Sequence, residues 1–307
     1  MTPAPFVAQV SSLDLPWSKV ALNCLHFVAS FAIFGGLGFR FFVTRRALGE
    51  SPYRDFAAQV REPMESGAAQ IGFVGALLLL TCDFGLASRN AYIGGVGMAV
   101  AARKAGPFFL AEVACALLLL VAFALARRNA RAAWSAAAFF ATAMALRKIT
   151  TGNWLQLMSP LHEVAAALWL GTLLVLVAIG VPAVLRHATA AEARSRLTAD
   201  LVTRFSSLAL GGAALLGVTG VIIAWVHLKY VAALWTTPYG YVLDAKLVVV
   251  AIIAGLGAWN WRRQTPRLAT DDGIHALCRS SKQELAFAVL TLLLTAVLVV
   301  LPTPKLP

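Results

Sequence analysis

Several histidines and carboxylates of this 307-residue chain interrupt stretches that are otherwise apolar. An ionisable side chain within a membrane is costly, so it normally faces a partner or a cavity. Imidazole and carboxylate groups that converge on one cavity can bind a metal ion or relay protons. The candidate residues for such a site are His26, Asp83, Glu112, His162, Glu163 and His227.

The composition indicates that membrane-spanning helices carry these side chains. Hydrophobic residues make up 60% of the chain and charged residues 13%, which is about half the charged fraction of a typical soluble domain. The mean hydropathy is +0.77. The apolar stretches are continuous rather than alternating, which favours helices over a β-barrel. We therefore predict an all-α, multi-pass membrane helix bundle embedded in a lipid bilayer.

Eight segments are long enough to cross the hydrocarbon core of a bilayer, which is about 30 Å thick. The fourth segment is the weakest, because Arg147 and Lys148 cut into its end. Residues 89–106 are rich in glycine and predict an exposed loop or a shallow re-entrant segment. The predicted spans lie near 18–43, 67–88, 107–126, 131–150, 160–185, 201–228, 240–262 and 283–302.

The basic residues between the spans predict the orientation. Loops that follow the odd-numbered spans carry nearly twice as many Lys and Arg residues as the opposite side, and the side richer in basic residues is cytoplasmic. Both termini are then periplasmic in a bacterial inner membrane, and residues 1–17 form a short external tail. This distribution also explains the net charge of +12 without a basic stripe on a soluble face, so we expect no nucleic-acid partner.

Two segments share the pattern L-H-x-V-A-x5-G. They are LHFVASFAIFG at 25–35 and LHEVAAALWLG at 161–171. In each half of the chain, the third span then carries one acid near its outer end, Glu112 or Asp244. This arrangement predicts two parallel four-helix repeats, residues 1–150 and 151–307, related by an axis along the membrane normal. Chance similarity between two alanine-rich segments is the alternative.

The predicted topology gathers one set of ionisable residues in the outer half of the membrane: His26, Asp83, Glu112, His162, Glu163, His227, Asp244 and Lys246. This one-sided polarity predicts a metal or proton site that is reached from the periplasm, with His26 and His162 as its central ligands. The alternative is that each side chain bonds between helices or reaches the headgroups. Imidazole and carboxylate suit Cu(II) or Zn(II), whereas Cu(I) prefers thiolate and thioether ligands.

Five segments of the second half carry a further signal. They are LHEVAAALWLG (161–171), RFSSLALGGAALLGVTG (204–220), TPYGYVLDAKL (237–247), GAWNWRR (257–263) and KQELAFAVLTLLLTAVLVVLP (282–302). Together, over about residues 153–303, they resemble the CopD family of bacterial copper-resistance membrane proteins. The resemblance marks as motif positions His162, Trp169, Gly171, Tyr239, Gly240 and Lys246.

The resemblance implies an inner-membrane protein that handles copper between periplasm and cytoplasm, often beside a periplasmic CopC-type copper-binding protein. The chain has no Gly-x4-Gly-Lys-Ser/Thr nucleotide-binding loop, so we expect copper transport or tolerance without ATP hydrolysis, rather than an enzyme. One alternative is a b-type cytochrome in which two of His26, His162 and His227 bind haem. Another is a structural membrane subunit.

Overall fold

The computed structural model describes residues 15–49, 54–128, 130–147, 149, 153–187, 190–264, 267–268 and 270–304. The predicted external tail lies almost entirely outside these residues, as does Lys148. Within the described ranges the chain is helical and contains no β-strand. The all-α helix bundle predicted from the sequence is therefore confirmed.

The helices are numbered here in chain order. They are α1 Trp17–Gly49, α2 Arg54–Ile93, α3 Met98–Ala126, α4 Arg131–Leu146, α5 Leu155–His187, α6 Ala191–Leu228, the short α7 Ala233–Thr236, α8 Pro238–Gln264 and α9 Asp271–Leu298. Of the helices in the described ranges, seven are long and apolar enough to cross a membrane, namely all except α4 and α7. We call the end at which α1 and α5 begin the outer end.

Helix α4 corresponds to the weakest predicted span. It has 16 residues, so it is about 24 Å long and shorter than a typical span. It nevertheless runs antiparallel to α3 over most of the apolar length of that helix. Trp134 packs edge-on against Phe123, with ring centroids 6.0 Å apart, near one end of the pair, and Arg147 bonds to Glu112 near the other. Helix α4 thus covers about the same depth as the apolar part of α3, Phe109–Ala126.

Residues 89–106 differ from the prediction of a loop or re-entrant segment. Helix α2 continues to Ile93, and α3 begins at Met98 after a short turn. The turn contains Gly95 at φ +59°, and α3 is kinked at Gly106, where φ is +74°. Glycine adopts such positive φ values without steric cost. The glycines that suggested a loop therefore mark a turn and a kink between two helices.

The glycines of the repeated pattern hold α1 and α5 together. A Cβ atom on Gly35 would overlap the backbone carbonyl of Gly171, and one on Gly171 would overlap the carbonyl oxygen of Phe31. The two helix backbones are therefore in direct contact, as small residues permit in membrane proteins. Around this contact, one apolar core is shared by helices of both predicted halves.

A second feature occurs at the same place in both segments. A π-helical turn in α1, Phe39–Thr44, and one in α5, Leu176–Gly180, end at equivalent positions when the repeated pattern is aligned. Helix α5 also contains a π-helical turn at Ala167–Gly171 that has no counterpart in α1, so these turns do not distinguish a true repeat from chance. The division into halves 1–150 and 151–307 remains a prediction.

We predict that Gly35→Ala and Gly171→Ala each lower the thermal unfolding temperature of the purified protein. The added methyl group must push two backbones apart, at a cost of about 1–3 kcal/mol. Gly217→Ala is the matched control, because a Cβ atom at this position in α6 would meet nothing within 4 Å. Equal unfolding temperatures for all three variants and the wild type would contradict the close contact.

Candidate functional site

A small cleft opens between α1, α4 and α5, with α2 and α3 contributing one leucine each. We call it the outer cleft. It lies near the ends at which α1 and α5 begin and α4 ends. The side chains with polar or sulfur atoms that line it are those of His26, Ser30, Met144, Arg147, Ser159 and Glu163.

His26 and Glu163 meet across the α1–α5 interface. The Nε2 atom of His26 lies 3.4 Å from Oε1 of Glu163, and the hydroxyl of Ser30 donates to the same oxygen at 2.6 Å. Ser30 is one helical turn after His26, so both project from the same face of α1. Both ring and carboxylate are partly exposed, with side-chain accessibilities of 19% and 26%. The pair is held in place yet reachable from the cleft.

A second ionic group lies beside this pair. Arg147 donates from Nε to Oε1 of Glu112 at 2.5 Å and from Nη1 to the carbonyl of Met144 at 2.6 Å. These bonds join the end of α4 to α3. The bond to Met144 also fixes the last turn of α4. Among the lining residues of the outer cleft, Met144 is the only one with a thioether.

Asp83 of α2 completes the ionic cluster. It is 5% exposed, and its Oδ2 has no hydrogen-bond partner among the described residues. Glu112, Arg147 and His26 are close enough to interact with it electrostatically. Near the outer cleft, the carboxylates of Asp83, Glu112 and Glu163 thus face a single guanidinium. When all are ionised, the cluster is net negative and attracts cations.

His162 has different partners. Its Nδ1 lies 3.0 Å from the hydroxyl oxygen of Thr219 on α6, and that hydroxyl donates its proton to the carbonyl of Leu215. One hydrogen bond thus joins the ring of His162 to the hydroxyl of Thr219. Lys246 of α8 is close enough to act on His162 electrostatically. The carboxylate of Glu163 also acts on His162, with the opposite sign.

The structure therefore places the two predicted central ligands against different neighbours, His26 against Glu163 and His162 against α6. Within the part of the chain that the structure describes, no group of three or more His, Cys, Asp or Glu side chains could hold a metal ion. A single site with both histidines and two or more carboxylates is not assembled here.

His227 and Tyr239 pack together at the outer end of α6 and α8. The rings are stacked with centroids 6.2 Å apart and planes inclined by 2°. The Nδ1 atom of His227 donates to the carbonyl of Ile223 at 2.8 Å. Gly240 lies against the backbone carbonyls of α7, where a Cβ atom would overlap them. These motif residues join α6, α7 and α8.

The remaining predicted residues lie elsewhere. Trp169 is buried and packs near Gly212 of α6, and Gly171 contacts α1. Asp244 and Lys246 are partly buried and form no ion pair with any described residue. Trp169 therefore packs between helices and does not line the outer cleft.

Sequence reasoning missed Ser30, Met144 and the buried ion pair of Arg40 with Glu65. The Nε atom of Arg40 lies 3.3 Å from Oε2 of Glu65, and its guanidinium is 5.9 Å from the ring centre of Trp134. Of these residues, only Ser30 could have been found from the sequence, because it follows His26 by four residues in a predicted helix. The roles of the other residues depend on which helices are neighbours in the fold.

Comparison with known proteins identifies one family. Residues 199–298 match the family model described as copper resistance protein D, CopD. The resemblance to CopD is confirmed for this segment. No curated protein and no solved structure matches the chain.

The CopD-like segment, residues 199–298, comprises most of α6 and all of α7, α8 and α9. It contains Thr219, Tyr239, Gly240 and Lys246, whereas the LHEVAAALWLG pattern with His162 precedes it. The outer cleft is formed by α1 to α5 and lies outside the segment. The chain is thus a multi-pass membrane protein whose family match concerns copper resistance.

We predict that Glu112 and Arg147 stabilise the fold as a coupled pair. Arg147→Met and Glu112→Gln should each lower stability, and the double variant should lose less than the sum, with a coupling free energy of about 0.5–3 kcal/mol. A double-mutant cycle on unfolding free energies measures it. The exposed pair Glu192 and Arg196 serves as control, with an expected coupling of about 0.3–0.5 kcal/mol. Strict additivity for Glu112 and Arg147 would contradict the coupling.

Proposed function

We propose that this protein handles copper in a bacterial inner membrane and that copper is bound transiently in the outer cleft. The observation that carries this proposal is the pair of donors, His26 Nε2 and Glu163 Oε1, 3.4 Å apart at the lining of the cleft. The CopD-like segment supplies the link to copper resistance. The net negative ionic cluster supplies the attraction for a cation.

The separation of the two donors supports this interpretation. Two ligands that each bind a metal at about 2.0–2.1 Å with a tetrahedral angle lie about 3.4 Å apart. His26 and Glu163 could therefore bind one ion by a small adjustment. Two protein donors leave most of the coordination shell to water or to other ligands, which suits a transported ion better than a stored one.

Met144 adds a soft donor to the outer cleft. Imidazole and carboxylate groups suit Cu(II), whereas a thioether suits Cu(I). A lining that combines His26, Glu163 and Met144 therefore accommodates copper better than it accommodates magnesium or calcium, which prefer oxygen ligands.

The orientation of the bundle supports access from the periplasm. We infer that α4, which lies beside the apolar part of α3, serves as an eighth crossing next to the seven longer helices. With an even number of crossings and the positively charged loops on the cytoplasmic side, we expect both termini and the outer cleft to lie in the periplasm. A periplasmic CopC-type protein could then deliver copper to the cleft.

We predict that alkaline phosphatase, which is active only in the periplasm, is active when fused after Pro302. The same enzyme fused after Arg128, in the loop between α3 and α4, should be inactive. Enzyme activity normalised to the amount of fusion protein measures the difference. An inactive fusion at Pro302 would contradict an even number of crossings.

We predict that His26→Ala and Glu163→Gln each weaken copper binding by the purified protein at least roughly tenfold. Met144→Leu should weaken Cu(I) more than Cu(II). Equilibrium titration with metal analysis measures these affinities. His275→Ala is the control, because His275 is an exposed histidine on α9, and it should bind copper like the wild type.

Wild-type affinity in both His26→Ala and Glu163→Gln would contradict the proposed position. The absorption spectrum of the same samples tests the alternative function. A Soret band in the wild type that is lost with a histidine would indicate a b-type cytochrome instead.

A further inference from the structure

A further buried carboxylate lies toward the inner end of the bundle. Glu284 of α9 is 3% exposed and forms no ion pair with any described residue. Its Oε1 accepts a hydrogen bond from Nδ2 of Asn260 on α8, which is itself 6% exposed. The outer cleft lies at the opposite end and does not include these residues.

The local structure presents Asn260 to Glu284. Helix α8 changes at Asn260 into a π-helical turn, Asn260–Gln264, and π-helical turns are frequent at functional sites. Gly257 lies one turn earlier, where a Cβ atom would be 3.7 Å from Oε2 of Glu284. The absence of a side chain at Gly257 leaves Oε2 room, while Oε1 is held by the amide.

The charged residues of the surrounding helices do not neutralise Glu284. At the inner end of α8 and on α9, the described charged residues other than Glu284 are exposed. Arg40 of α1 is paired with Glu65, and Arg186 of α5 bonds to a backbone carbonyl. On α6, Asp200 and Arg204 are partly buried, and neither forms an ion pair with Glu284. The exposed ones on α8 and α9 are Arg262, Arg263, Arg279 and Lys282.

An ionised carboxylate that is buried without a cation is strongly disfavoured, and an ionisable residue inside a membrane protein normally has a functional role. We propose that Glu284 is a proton-binding site, with Asn260 as the residue that positions it. A proton adds to Oε2 beside Gly257 while Oε1 keeps its bond to Asn260, and release returns the proton from Oε2 toward the inner side. This site is independent of the outer cleft.

Infrared difference spectroscopy between acidic and alkaline pH tests the proposal, because it detects the C=O vibration of a protonated carboxyl group. In purified wild-type protein in lipid, one carboxyl band should depend on Glu284. Glu284→Gln should remove that band, and Glu284→Asp should shift it without removing it. Glu192→Gln, at an exposed carboxylate on α6, should leave it unchanged.

A spectrum of Glu284→Gln that matches the wild type would overturn the proposal. So would a band that responds to sodium concentration at constant pH, since that indicates a metal cation in place of a proton. Thermal unfolding of each variant shows whether it is folded. If Glu284→Gln does not fold, Glu284→Asp provides the test: a shifted carboxyl band supports the proposal, and an unshifted band overturns it. Copper affinity should be unaffected in Glu284→Asp, which separates this result from the test of the outer cleft.

Discussion

The direct backbone contact between Gly35 and Gly171 is the constraint on which the rest of the structure depends. It brings α1 and α5 into direct backbone contact. His26 and Glu163 lie about two turns closer to the outer end on the same two helices, so the contact brings their side chains within bonding distance. Any widening of this interface would separate the two donors and open the outer cleft.

The ionisable residues are sorted by helix and by depth. On the α1 side of α5, Glu163 and Arg147 line the outer cleft, and the carboxylates of Asp83 and Glu112 lie close to Arg147. On the α6 side, His162 is hydrogen-bonded to Thr219, and Lys246 is close enough to act on it electrostatically.

Much of the fold could be predicted from the sequence, because lipid requires long apolar helices and places basic loops on one side. The helix positions follow from that reasoning, as does the placement of His26, Asp83, Glu112 and Glu163 near one end of the bundle. The grouping of His162 with His26 does not. Adjacent residues on a helix point about 100° apart, so when Glu163 faces α1, His162 must face another neighbour.

Other features depend on tertiary contacts that leave no pattern in a single sequence. The π-helical turns have no distinctive composition. Met144 and Arg147 reach the outer cleft only because α4 packs between α3 and α5. The partner of Glu284 is twenty-four residues away, on a different helix. These contacts are specified by packing among helices rather than by local periodicity.

The central proposal is that one imidazole, that of His26, binds copper in the outer cleft. Electron paramagnetic resonance of the Cu(II)-loaded protein measures it most directly, because a coordinating ring nitrogen splits the copper signal. We predict splitting from a single histidine nitrogen that is lost in His26→Ala and retained in His162→Ala. Retention of the splitting in His26→Ala, or its loss in His162→Ala alone, would contradict the account.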